Sequence, residues 1–400
     1  MRRRLISIAL VFGSVILAMG LAEAALRVAH YGQTHHVALD KAMQYDPLLG
    51  WRNKPGVSIE LVTPEYRTIL HRNASGLRGS DRQYSKPQNV SRIIVLGDSF
   101  VDGYTVRTED RLTEVLEASL GGQFEVINLG VSGYSTDQEL LMLEQEGWKY
   151  QPDVVVLAFH FNDVWGNASS YLGNNVNTKK PVFVRDASGE LLLSNVPVPY
   201  PAVSLHERME LYDLIRTVVK GNHWLHQLAT KVGLAYDARH SSGKAAGVAG
   251  YWALLLDDEF KVYETTESPD VKKEWAITQA LLRRMKLETE QRGVPLVVFY
   301  VPTRVELSPE EWRNTHLPPA YDPGEVARRL AGICKAEGLP YIDPSDRFKE
   351  SAITMYYAND PHWNAAGHYL AGQMLAEYVR ATTRGLAPVP SPGGSPSANH

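Results

Sequence analysis

Cysteine is almost missing from this chain: its 400 residues include one, Cys334. No internal disulfide can form, so the fold must be held by packing and hydrogen bonding. Cys334 ends the amphipathic run 325–334, with no His or polar strand end beside it, so a buried structural thiol is expected rather than a nucleophile. An excess of positive charge is missing too. There are 41 basic against 45 acidic residues, a formal net charge of -4. No basic run follows Arg2-Arg3-Arg4 and no basic stripe interleaves with aromatics, which excludes nucleic acid as a partner. No internal repeat is present. What remains is a chain that is 44% hydrophobic, enough for one large domain with insertions or for two domains.

The N-terminus reads as a targeting segment. Arg2, Arg3 and Arg4 precede Leu5 to Ala22, a run without a charge. A signal peptide would have a shorter core and a small-residue cleavage site, which Ala22-Glu23-Ala24 supplies. An uncleaved anchor would have ~20 apolar residues with its positive flank in the cytoplasm. The length of the run and the Glu23/Arg27 spacing favour the anchor, a single transmembrane helix over 5–26 within a segment 1–27. The expected location is the bacterial inner membrane with the body of the chain in the periplasm. Cleavage would instead leave a soluble exported protein.

Residues 28–90 form a polar extension with short strands expected at Ser58 to Val62 and Arg67 to Leu70. From 91 to 383 strands and helices alternate. Strands are expected at Ile93 to Leu96, Phe124 to Leu129, Val154 to Phe159, Leu296 to Val301 and Tyr341-Ile342, and helices over 271–292, 324–337 and 364–382. Ser135-x-x-Gln138 resembles a capping box. This alternation predicts an α/β domain with a parallel sheet and helices on both faces. Residues 164–270 break it and read as a cap-like insertion, with a helix at 206–220 and an apolar stretch around Trp252. The Pro/Gly/Ser-rich tail 384–400 is expected to be disordered.

Four short motifs carry the chemistry: Gly97-Asp98-Ser99-Phe100, Asn128-Leu129-Gly130-Val131-Ser132-Gly133, Phe161-Asn162-Asp163 and Asp360-Pro361-His362. Each follows a strand-like run or opens a helix-like one. Gly-Asp-Ser alone is often only a turn, Gly133 only a turn and Asn162 only a cap. Together they supply a nucleophile (Ser99), oxyanion donors (the Ser99 and Gly133 amides and the Asn162 side chain) and an Asp360/His362 base pair. In an extended loop, residues two apart point to one side, so Asp360 can orient the imidazole of His362. Asp346, Asn359 and His368 are reserves. The Gly-x-Ser-x-Gly elbow of the α/β-hydrolases is absent, because position 101 is Val. Trp165 and Tyr171 offer an aromatic platform for a sugar ring, or else core packing.

These motifs resemble the SGNH hydrolase superfamily, also called GDSL-type esterases, whose signature Ser, Gly, Asn and His would here be Ser99, Gly133, Asn162 and His362. The resemblance covers about 93–165 and 272–380. It implies a flavodoxin-like three-layer α/β/α fold and Ser-His-Asp chemistry, with no cofactor and no obligatory metal. Two features depart from the family pattern: His160-Phe161 stands before Asn162 without the usual Gly, and Asp360 is two residues before His362 rather than three. The second spacing is similar to alginate O-acetyltransferase relatives and to membrane-anchored members of bacterial polysaccharide clusters. The expected activity is therefore a serine esterase on short-chain O-acyl esters, such as O-acetylated carbohydrate. The alternatives are an O-acyltransferase modifying an exported polysaccharide, a lipid-directed esterase or lysophospholipase, and a non-catalytic binding module.

Overall fold

The computed structural model describes residues 2–28, 42–172, 175–186, 188–200, 211, 212, 214, 215, 259–315, 317–350 and 354–382. The stretch around Trp252, the tail 384–400 and most of the helix expected at 206–220 lie outside the described residues.

Five strands form the central sheet: β1 (Ser91–Leu96), β2 (Phe124–Asn128), β3 (Val154–His160), β4 (Leu296–Val301) and β5 (Tyr341–Ile342). They are parallel and lie in the order β2-β1-β3-β4-β5. β3 and β4 are buried along their whole length. That is why they read as unbroken apolar runs rather than alternating ones. Alternate residues serve different layers. Ile94, Leu96, Val155, Leu157 and Val298 pack on one face with α2 (Thr136–Gln145), α3 (Pro269–Gln291) and α4 (Glu325–Glu337). Ile93, Val95, Val156, Val297 and Phe299 pack on the other with α1 (Leu112–Leu120) and α5 (Ala365–Thr382). Cys334 is buried in the first layer, and burial pushes its thiol up to about 12, so it is inert.

Ser135 occupies the N-cap position of α2, but its side chain makes no capping bond. The expected box is not formed: the Gln138 side chain is turned toward the N-terminal extension, where its amide donates to the Leu49 carbonyl (2.8 Å). That extension is part of the domain. Strands Ser58–Val62 and Arg67–His71 pair antiparallel, and Met43–Asp46 pairs with Gly50–Asn53. Trp51 Nε1 donates to the Ser132 carbonyl (3.0 Å), and Tyr134 Oη to the Trp51 carbonyl (2.5 Å). The insertion holds two further hairpins, Tyr171–Leu172 with Asn175–Lys179 and Val182–Arg185 with Leu191–Ser194.

Residues Arg2–Val28 form one helix. Among the described residues no helix is long and apolar enough to cross a membrane. The helix Arg2–Val28 carries the Glu23–Arg27 ion pair (2.6 Å). The transmembrane helix expected over 5–26 is thus not found among the described residues.

Candidate active site

The site lies at the carboxyl ends of β1, β2 and β3, where open α/β sheets bind ligands. β1 ends at Leu96, and the chain turns at Gly97 into the short helix Ser99–Asp102. A Cβ at position 97 would sit 2.3 Å from Val101 Cγ2, so only glycine lets the turn close this tightly. Asp98 caps the helix, its Oδ1 accepting from Phe100 N (2.9 Å).

Ser99, His362 and Asp360 form a hydrogen-bonded line. Ser99 Oγ is 2.8 Å from His362 Nε2, and His362 Nδ1 is 2.6 Å from Asp360 Oδ1. A carboxylate accepts only, so Nδ1 carries the proton and Nε2 is left to accept from the serine. Asp360 Oδ1 also accepts the His362 backbone N–H (3.0 Å). Burial alone would raise the Asp360 carboxyl, but its bonds to His362 and Tyr66 outweigh that and hold it below its usual range. Tyr104 Oη reaches to 3.3 Å of His362 Nδ1.

Gly133 and Asn162 line the same cavity of about 320 Å³ as Ser99 and His362. Gly133 has φ +83°, a conformation that favours glycine, and a Cβ there would press on Leu172 at 2.9 Å. Asn162 is oriented by His160, which stands two residues before it. Burial drives His160 down to about 4, so the ring is neutral, and its Nδ1–H donates to Asn162 Oδ1 (2.8 Å). The Asn162 amide nitrogen therefore faces the other way, 3.4 Å from Asp98 Oδ2. Trp165, Tyr171, Leu172, Lys180 and Glu259 complete the cavity from the insertion.

Beneath this loop lies a buried acidic layer. Lys180 Nζ donates to Asp137 Oδ2 (2.5 Å) and the Gly166 carbonyl (2.8 Å), which fixes the root of the insertion. Asp163 Oδ2 accepts the His160 N–H (3.0 Å). Burial, followed by neighbouring carboxylates, pushes Asp163 and Glu139 well above the usual carboxylate range. Among the described residues, no group of three or more His, Cys, Asp or Glu side chains is arranged to hold a metal ion.

The reserve residues lie elsewhere. Asp346 is exposed, its side chain 94% accessible. His368 is buried against Trp363; burial drives it down to about 3, and its neutral ring accepts the Leu112 N–H (3.4 Å). Asn359 gives its backbone N–H to Glu65. Sequence patterning missed Glu65, Tyr66 and His160. For His160 a signal existed, since it stands where the family pattern is usually different.

Two family models match the chain. A GDSL-like lipase/acylhydrolase model matches residues 95–259. A model described as an SGNH hydrolase-like domain, acetyltransferase AlgX, matches residues 254–391. Similar solved structures include a lipase/acylhydrolase from Enterococcus faecalis, 14% identical with TM-score 0.38, covering 73% of this chain and 97% of that one. The acetyl xylan esterase AlAXEase is 13% identical with TM-score 0.36, covering 72% and 99%. An inhibitor-bound M. smegmatis aryl esterase is 15% identical with TM-score 0.32, covering 73% and 99%. No curated protein matches.

Proposed function

The chain belongs to the SGNH hydrolase superfamily, and from that premise we propose that it is a serine esterase acting on short O-acyl esters of a carbohydrate. The observation that carries this reading is the line Ser99 Oγ to His362 Nε2 (2.8 Å) and His362 Nδ1 to Asp360 Oδ1 (2.6 Å). Ser99 Oγ attacks the ester carbonyl while His362 Nε2 takes its proton. Asp360 holds the imidazole in the tautomer that accepts at Nε2 and stabilises the imidazolium. The Ser99 and Gly133 amides and the Asn162 side chain stabilise the oxyanion. The Nε2–H then protonates the leaving alcohol, and water cleaves the acyl-enzyme.

A second reading has a specific observation behind it. The model that matches the half containing Asp360 and His362 is that of an acetyltransferase domain. In that reading a sugar hydroxyl replaces water in the second half-reaction, and the enzyme is an O-acyltransferase. The cavity supports a small acyl group and a polar acceptor, with Trp165, Tyr171, Lys180 and Glu259 at its wall. Acetyl esters should therefore turn over faster than octanoyl esters. A p-nitrophenyl ester series, run with and without acceptor glycan, tests both readings. Much faster cleavage of long-chain esters would favour a lipid-directed enzyme, and glycan-dependent acyl transfer would favour the transferase.

Location is part of the proposal. Arg2-Arg3-Arg4 before the uncharged run Leu5 to Ala22 supports export of the domain, with 1–27 retained as an inner-membrane anchor. Intact mass of the protein recovered from a bacterial membrane fraction should show the full N-terminus. A mature N-terminus at Ala25 would mean a cleaved leader and a soluble periplasmic enzyme.

A further inference from the structure

The turn joining strands Ser58–Val62 and Arg67–His71 reaches the candidate site from outside the α/β core. Its residues meet the loop that carries Asp360, almost 300 positions later in the chain. Glu65 accepts the Asn359 N–H on both carboxylate oxygens (2.9 and 3.1 Å) and the Asp360 N–H on one (2.9 Å). Tyr66 Oη donates to Asp360 Oδ2 (3.1 Å), while its ring packs on Tyr357 with centroids 5.0 Å apart.

The division of labour on Asp360 is the informative part. Oδ1 takes both hydrogen bonds from His362, to the ring and to the backbone N–H. Oδ2 takes the Tyr66 hydroxyl. A carboxylate tied at one oxygen can still turn about its Cβ–Cγ bond, and that torsion is broad. Tying the second oxygen fixes the plane in which Oδ1 meets Nδ1. Asp360 also sits in a loop outside regular structure, so its backbone needs an external brace, which Glu65 supplies. The hairpin is itself held down. Thr68 Oγ1 donates to the Val106 carbonyl (2.9 Å), and Arg72 is paired with Asp102 inside the protein.

We infer that Tyr66 is a positioning residue that holds the Asp360 carboxylate in line with His362, with Glu65 holding the backbone that carries it. The hairpin of the N-terminal extension thus completes the catalytic arrangement. The inference rests on the Ser99–His362–Asp360 reading above.

The test uses the full-length protein and an alkyl fluorophosphonate, which reports nucleophile activation without the natural substrate. Wild type should be phosphonylated on Ser99. Tyr66→Phe keeps the ring against Tyr357 and removes only the donor. It should lower the maximal inactivation rate roughly tenfold, well short of the ~10⁴ that loss of the correct tautomer costs in a serine triad. Reversible affinity for the probe and the melting temperature should stay at wild-type values. A merely structural role predicts no change in Tyr66→Phe. Glu65→Ala should slow inactivation in the same way. Wild-type maximal rates in folded Tyr66→Phe and Glu65→Ala would overturn the inference. If wild type is not labelled on Ser99, or if Ser99→Ala still labels in this domain, the reading beneath it fails instead.

Discussion

Ser99→Ala should abolish turnover of p-nitrophenyl acetate while leaving the domain folded. The hydroxyl has little structural work: its hydrogen bond runs to His362 Nε2 (2.8 Å), on the wall of an open cavity. Deleting a single hydrogen bond of this kind changes stability by ~1 kcal/mol. The rate effect is of another order. Without the oxygen no acyl-enzyme can form, and the residual rate comes only from the oxyanion donors and substrate binding. Loss of the nucleophile in a comparable triad costs roughly 10⁶ in kcat. The check is kcat for purified wild type and variant, with circular dichroism and melting curves on the same samples. Near-normal turnover by a folded Ser99→Ala would remove the assignment.

Much of this site is legible in the sequence, because its groups sit at predictable ends of predictable strands. β3 and β4 are buried on both faces, so Val154 to Phe159 and Leu296 to Val301 read as unbroken apolar runs. A short polar motif following each of the first three strands then falls on one edge of the sheet. What supports those groups is not legible in the same way. Glu65 and Tyr66 lie in a turn with no periodicity, and their partners are 294 and 295 positions away. No local pattern encodes a contact at that separation. Gln138 shows the complementary failure: its spacing from Ser135 satisfies a local rule, but its side chain is turned toward the Leu49 carbonyl of the extension. The hairpin Val182–Arg185/Leu191–Ser194 is another case. Its strand residues Leu192 and Leu193 are both exposed. Only Leu191 of this strand packs against the core, so Leu191-Leu192-Leu193 does not alternate, and the strand signal is lost.

The largest stability effect is expected at Arg72, far from any motif. Its guanidinium makes two hydrogen bonds to the Asp102 carboxylate, at 2.5 and 2.9 Å, and both side chains are fully buried. Asp102 closes the short helix that begins at Ser99, and it also accepts from Ser132 Oγ (2.7 Å), beside Gly133. One pair thus ties the extension to two loops of the candidate site. Arg72→Ala would strand a buried carboxylate, which costs about 3–5 kcal/mol. The low end is more fitting here, because Arg78 donates to the Asp102 carbonyl (3.1 Å) and its charge stays close. The sign of the pH dependence follows from Asp102. Burial alone would raise its pKa, but the Arg72 charge and hydrogen bonds, then Arg78 and Ser132, hold it below the usual value. A depressed carboxyl contributes stability that is present above the unfolded pKa of ~3.9 and is lost as the pH falls through the lower folded value. The gap between wild type and Arg72→Ala should therefore be full at pH 7 and narrow below about pH 4. Urea unfolding of both proteins at the two pH values measures it. The double variant Arg72→Met/Asp102→Leu should recover part of the loss, since a buried pair replaced by apolar groups of similar size is often neutral. A loss under about 1 kcal/mol at pH 7 would show that the extension is held by its other contacts, and that this pair is not what secures it.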